Sequence, residues 1–274
     1  NPFKNLSMDR EFYCILFNIL NYHMNNKGKK MNLKNCNILI TGAGSGIGLG
    51  AVKLLHDAGA NLVICGRNAD KLQKGASSIV PTLERITVIA CDTSNPQQVA
   101  KLVAETKAKL KSIDILVHCV GVNINQRTFE QLNPKSWREL LDGNLDSAFY
   151  TIHETVRHMR ENKKGLVIVI NSISGLRANP LGGSGYNAGK FGLHGLITTI
   201  AAEEAKNGIR FCSIFPGEVN TPILDVRPNP VSEEHRQAIL QPEDVASTIK
   251  FVAELPDHVV IPELVIIPSR GTFI

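Results

Sequence analysis

Short apolar runs punctuate the chain at residues 37–41, 62–65, 86–90, 115–118, 166–170, 210–215 and 264–267, with helical stretches between most of them. Runs of this length without polar alternation read as strands buried on both faces. Strands alternating with helices predict an α/β fold with a parallel sheet covered on both sides. The first run, Asn37-Ile38-Leu39-Ile40-Thr41, breaks into Gly42-Ala43-Gly44-Ser45-Gly46-Ile47-Gly48 and resumes as a helix over 49–58, closing at Gly59. Strand, glycine turn and helix is the geometry in which backbone amides and the positive end of a helix dipole meet a pyrophosphate. The third glycine of a G-x-G-x-x-G counted from Gly42 would fall at Ile47, so the pattern is Thr-Gly-x-x-x-Gly-x-Gly from Thr41 to Gly48. Alone, such a turn serves close packing equally well.

Composition adds bounds. A chain of 274 residues with 43% hydrophobic and 20% charged residues can bury one sizeable core, and no repeat, low-complexity tract or Pro/Ser-rich linker marks a second domain. The net charge of +5 is concentrated in residues 1–36, where six basic residues face two acidic ones. The remainder is nearly neutral, which argues against a nucleic-acid partner. Six cysteines form no Cys-x-x-Cys pair, and Cys65, Cys91, Cys119 and Cys212 fall in or beside strand runs. They read as buried thiols of a reducing, cytoplasmic setting, with neither disulfide nor metal site expected. The apolar run Phe12-Tyr13-Cys14-Ile15-Leu16-Phe17 is too short to span a bilayer. It lacks a cleavage site, and Asp9 and Glu11 argue against a mitochondrial leader.

The chemistry centres on Tyr186-Asn187-Ala188-Gly189-Lys190, in an Ala/Gly-rich helical stretch. Side chains at i and i+4 share a helix face, so the Lys190 ammonium is expected to lower the Tyr186 pKa and make the phenol a general acid/base. A solvated surface pair is the plain alternative. Three further segments lie in order around it: Asn144-Leu145-Asp146-Ser147-Ala148-Phe149, Asn171-Ser172-Ile173-Ser174-Gly175 after the 166–170 strand, and Pro216-Gly217-Glu218-Val219-Asn220-Thr221-Pro222. Together with the glycine turn these resemble the short-chain dehydrogenase/reductase family, from about residue 33 to the C-terminus. The resemblance implies a Rossmann-like, doubly wound single domain over 31–274. Met31 stands where members of that family usually begin, so residues 1–30 are expected to be a dispensable extension.

The resemblance also implies roles. Ser172 would hydrogen-bond a substrate carbonyl, Tyr186 would protonate it, and Lys190 would hold the nicotinamide ribose. Asn144 would hold a water linking Lys190 to solvent. Cofactor contacts would come from Gly42, Ser45, Gly46, Ile47, Gly48, Asp92, Thr93, Gly121, Pro216, Gly217, Val219 and Thr221. For Asp92 a plain turn aspartate is the alternative. The second strand ends in Gly66-Arg67-Asn68, without the carboxylate that accepts from the ribose of NAD, and Arg67 can pair with a 2′-phosphate. NADP(H) is therefore favoured over NAD(H), although a solvated loop arginine is the plain reading of Arg67 and Ser45 adds no second basic residue. Relatives often carry Asn-Asn-Ala-Gly after the fourth strand, whereas this chain has His118-Cys119-Val120-Gly121. We take His118 as a structural hydrogen-bonding substitute. The Ser172 to Tyr186 separation is one residue longer than the commonest family spacing, which places the extra residue in the loop 176–185. The implied function is interconversion of a carbonyl and a secondary alcohol. Arg227, His235 and Arg236, in a lid over 223–240, fit a 3-oxo or 3-hydroxy acid as readily as a solvated face. A non-catalytic NADP(H) sensor is the rival class, disfavoured because Asn144, Ser172, Tyr186 and Lys190 are all retained. A homodimer or homotetramer is expected through the helices holding residues 137–160 and 186–206, where Ala188, Gly189, Gly192 and Gly195 allow close approach between subunits or within one.

Overall fold

The structure, a computed structural model, describes residues 30–270. The expectation for residues 1–30 lies outside these, save that Lys30 pairs with Glu254 at 3.3 Å. Seven strands, β1 Asn37–Thr41, β2 Asn61–Gly66, β3 Ile86–Ala90, β4 Ile115–His118, β5 Gly165–Ile170, β6 Ile209–Pro216 and β7 Glu263–Ile266, form one parallel sheet ordered β3-β2-β1-β4-β5-β6-β7. The chain starts at the centre, winds to one edge, returns to set β4 beside β1, and winds to the other edge. That reversal opens a crevice at the carboxyl ends of β1 and β4.

The helices are α1 Gly46–Asp57, α2 Ala69–Ile79, α3 Pro96–Leu110, α4 Pro134–Leu141, α5 Ser147–Asn162, α6 Ser184–Glu204, α7 Glu233–Ala238 and α8 Pro242–Ala253. They cover both sheet faces, which explains the nearly continuous apolar runs of β2, β4 and β5. Along β1, Ile38 and Ile40 join an apolar layer with Val52, Leu55, Val245 and Ile249, while Leu39 joins Val99, Leu102, Ile152 and Leu193 on the opposite face. Side chains start most helices: Asn68 accepts from Lys71 N at 2.9 Å, Asn95 from Gln98 N at 3.0 Å, and Asn133 forms a capping box with Ser136. By contrast Ser45 makes no side-chain cap at α1.

Two elements differ from the sequence expectation. Helix α1 begins at Gly46 rather than residue 49, inside the glycine turn. Residues 137–160 are not one uninterrupted helix, because a π-helical turn, Asp142–Asp146, separates α4 from α5. Such turns insert a residue into the helical ladder and commonly mark functional positions. Here the turn carries Asn144.

Candidate active site

The carboxyl ends of the strands open into a cleft of about 1440 Å³. The glycine turn lines one side with Gly42, Ser45, Gly46, Ile47 and Gly48. Arg67 follows β2, Asp92 and Thr93 follow β3, and Gly121 follows β4. Ser172 follows β5, Tyr186 and Lys190 project from α6, and Pro216, Gly217, Val219 and Thr221 end β6 or follow it. The catalytic and cofactor residues expected from sequence therefore meet in one cleft except Asn144, which is fully buried behind it, and of the lid cations Arg227 and His235 line the cleft while Arg236 does not.

The glycine turn is built by close approach. A Cβ on Gly48 would sit 2.3 Å from the Gly42 carbonyl oxygen, so only glycine lets the first turn of α1 settle on the end of β1. The first amides of a helix have no intrahelical acceptor, and without a Ser45 side-chain cap they offer donors to an anion at the cleft. These residues fit a dinucleotide pyrophosphate. At the far end Arg67 is joined by Lys71, from the first turn of α2, as a second cation lining the cleft. The motif reading missed Lys71, because it looked only at the end of β2. The Asp92 carboxylate is partly engaged, accepting from Ser94 N at 3.0 Å and Ser94 Oγ at 2.7 Å.

Ser172 lies in extended backbone where β5 gives way to a 3-10 turn, and its hydroxyl accepts from Ser174 N at 3.1 Å. The Tyr186 phenol is pushed up from its ordinary pKa by burial, against a hydrogen bond to Ser172 and the charge of Arg127, which both pull it down. This corrects the expectation from the i, i+4 spacing. The Lys190 ammonium donates to Ile170 O at 3.1 Å and stands 5.8 Å from the Tyr186 ring centre, and the cationic pull on the phenol comes from Arg127. Lys190 is 2% exposed, and burial pushes its pKa down to about 8.

Asn144 is held on both sides: Nδ2 donates to Val122 O and Leu140 O, each at 2.8 Å, and Oδ1 accepts from Val122 N at 3.2 Å. A Cβ on Gly121 would lie 3.5 Å from both Asn144 Oδ1 and Lys190 Nζ, so the two polar ends flank that glycine. Gly189 packs against Asn144 and Gly192 against Leu145, which assigns these small residues to contacts within the subunit. A Cβ on Gly195 would meet nothing within 4 Å. His118 acts as the structural substitute expected of it. Its Nδ1 lies 2.9 Å from Thr41 Oγ1 and ties β4 to β1, while burial and the Lys190 charge push its pKa down to about 3, leaving it neutral.

The lid cations are already engaged. Arg227 and His235 both bind Glu218, at 2.7 and 2.5 Å, and Arg236 binds Asp225 at 2.6 Å and Asn220 at 3.1 Å. Sequence reasoning missed Arg127, whose loop carries no motif. It is 5% exposed, yet it lines the cleft.

Comparison with known proteins agrees with this geometry. Residues 36–230 match the family model described as short chain dehydrogenase. An uncharacterized oxidoreductase of Staphylococcus aureus (strain MW2) is 30% identical over 84% of this chain and 96% of its own length. A metagenomic short-chain oxidoreductase solved in complex with NADP is 27% identical, with a TM-score of 0.73 over 86% of this chain and 98% of that one. The fold also matches a 3-ketoacyl-(acyl-carrier-protein) reductase from Brucella melitensis complexed with NADH, at 24% identity and a TM-score of 0.78 over 87% of this chain and 99% of that one. The chain thus belongs to the short chain dehydrogenase family, as an oxidoreductase with an NAD(P)-binding Rossmann-like fold.

Proposed function

We propose that the protein is an NADP(H)-dependent reductase/dehydrogenase that interconverts a small carbonyl compound and its secondary alcohol. The carrying observation is that Ser172, Tyr186 and Lys190 line one cleft together with the uncapped start of α1. When bound, the reduced nicotinamide supplies hydride to the carbonyl carbon. Ser172 hydrogen-bonds the carbonyl oxygen and supports the charge developing there, and Tyr186 gives that oxygen its phenolic proton. Lys190 would hold the nicotinamide ribose and pass a proton to the phenolate, resupplied through water beside Asn144. Gly42, Ser45, Gly46, Ile47 and Gly48 would hold the pyrophosphate, Asp92 and Thr93 the adenine, Gly121 the adenosine ribose, and Pro216, Gly217, Val219 and Thr221 the nicotinamide. Oxidation is the same path reversed.

Arg67 and Lys71 at the adenosine end, with no carboxylate in Gly66-Arg67-Asn68, support NADP(H) over NAD(H). A relative solved with NADP adds support. Fluorescence titration with NADPH and NADH on wild type and Arg67→Ala, followed by NADPH oxidation with Tyr186→Phe as control, tests both parts. Wild type should bind NADPH tighter, the Arg67→Ala variant should lose roughly 10-fold or more of that preference, and Tyr186→Phe should bind nucleotide while losing about 10²- to 10⁴-fold in turnover. Equal affinities in wild type would make the protein NAD(H)-dependent or indifferent. Nucleotide binding with no turnover of any carbonyl would favour a sensor. Exposed Phe149 on α5 and Phe191 on α6 support self-association through these helices, which light scattering at micromolar concentration would show as a dimer or tetramer mass.

A further inference from the structure

Arg127 is a buried cation without an anion. Its three described acceptors are all backbone carbonyls: Nε donates to Ile124 O at 2.7 Å, Nη1 to Leu181 O at 3.3 Å, and Nη2 to Val226 O. None of the ion pairs among the described residues includes it. These acceptors come from the loop after β4, the loop before α6 and the lid turn Pro222–Val226, so the guanidinium sits where the three walls of the substrate end converge. A guanidinium has five N–H donors, and three are engaged.

Burial of a charge without a counter-ion is costly, and chains that keep one have a use for it. The surroundings sharpen the point. Glu218, a carboxylate lining the cleft, is paired with Arg227 and His235. Burial and the neighbouring Arg227 charge hold the Arg127 pKa below the ordinary guanidinium value, against the pull of Tyr186. Among the described residues no carboxylate pairs with Arg127, so its charge faces the Tyr186 phenol without a protein counter-ion. The plain alternative is that Arg127 only stitches loops. That role engages three of its five N–H donors and leaves two beside the cleft without an acceptor among the described residues.

We infer that Arg127 is the specificity-determining residue of the site and receives the carboxylate of an oxo acid, or of the corresponding hydroxy acid, whose carbonyl or hydroxyl lies at Ser172 and Tyr186. The inference rests on the reductase reading above and deepens it. In the reducing direction the carbonyl carbon gains hydride from the reduced nicotinamide, the oxygen gains the Tyr186 proton, and the phenolate is reprotonated from solvent. The carboxylate itself is unchanged. The assignment replaces Arg227 and Arg236 as anion receptors, because both are spent on acidic partners within the lid.

The test compares a 3-oxo acid with its methyl ester as NADPH-dependent substrates of wild type, Arg127→Met and Arg127→Lys. Wild type should favour the acid. In Arg127→Met the acid-to-ester ratio of kcat/KM should fall roughly 10- to 100-fold, the range expected for losing a charge-assisted contact, and Arg127→Lys should restore part of it. A wild type that reduces acid and ester equally overturns the inference even if the variants misfold, as does an equal loss for both substrates in a folded Arg127→Met. Absence of turnover with acid and ester alike sinks the reductase reading instead. The anion site is then decided by calorimetry with malonate: wild-type binding that Arg127→Met loses sustains it, and absent or unaltered binding overturns it.

Discussion

Replacing Lys190 by Met should stabilise the fold while destroying the site. The ammonium is 2% exposed, and burial lowers its pKa from an ordinary 10.5 to about 8. At about 1.4 kcal/mol per pH unit, that gap costs the folded state about 3 kcal/mol at neutral pH. The variant gives back the hydrogen bond to Ile170 O at 3.1 Å, worth about 1 kcal/mol, so the net gain is about 2 kcal/mol. The sign of the pH dependence follows from linkage. The unfolded chain keeps the Lys190 proton up to pH 10.5 whereas the folded chain releases it near 8, so the wild-type penalty is full below pH 8 and fades between 8 and 10.5. Cys36 and Cys212, both pushed up to about 12 without any influence of Lys190, contribute alike in the two proteins and cancel in the difference, whereas Cys119, which the Lys190 charge pulls down, is pushed further up in the variant. Urea denaturation of wild type and Lys190→Met at pH 7, 8.5 and 9.5 would show a higher variant midpoint at pH 7 and a shrinking gap above pH 8. A variant less stable than wild type at pH 7, or a gap that stays constant to pH 9.5, would refute the burial argument.

Gly183→Ala should unsettle the catalytic helix from its N-cap. Gly183 has φ +80°, and its Cβ would sit 2.5 Å from Arg127 O and 2.8 Å from Arg127 Cβ, so thermal melts should show a loss of about 1–3 kcal/mol and kcat should fall. A melt and kcat equal to wild type would contradict the contact. Glu218→Gln removes the carboxylate that binds both Arg227 and His235, so limited proteolysis within 222–240 should accelerate and KM should rise several-fold. Unchanged cleavage and KM would dismiss Glu218 as the lid latch. Although burial pushes the Glu218 carboxyl up, its two partners hold it below the ordinary 4.5. Wild-type cleavage should therefore be slow above pH 4.5 and rise only as the pH falls through that lower folded value.

The strands were legible from their apolar runs: central Ile115–His118, buried throughout, and the half-buried edge strand Ile86–Ala90 stand where those runs put them. The glycine turn was legible as a motif but not as a boundary, since the helix begins at Gly46, within the run of glycines, where Gly48 packs on Gly42 and Ala43 and Gly46 on the distant Thr221. The π-helical turn at Asn144 left no trace in periodicity, because it inserts a single residue and is held by Val122, a contact 22 positions away. Arg127 is the stronger case. Leu181 and Val226 lie 54 and 99 positions from it, and only the closed fold brings their carbonyls to one guanidinium. The lid cations show the reverse error, in which charges that look available in sequence are neutralised by Glu218 and Asp225 a few residues away.

The distribution of cost in the molecule separates the residues that hold the fold from those that work. Two apolar layers, on either face of the sheet, supply the burial that stabilises it. At the carboxyl edge the chain instead buries Lys190, His118, Asn144, Asn171 and Arg127, with His118 Nε2 and both Asn171 amide atoms lacking a partner among the described residues. Unpaired polar groups of this kind cost roughly 1–3 kcal/mol each. A chain selected for stability alone would fill these positions with apolar residues, as it does one layer deeper at Val117 and Val167. Their persistence around a single cleft marks the carboxyl edge as the place where stability is exchanged for chemistry. Substitutions there should separate activity from stability, as Lys190→Met does, whereas truncations in the two apolar layers should lose both together.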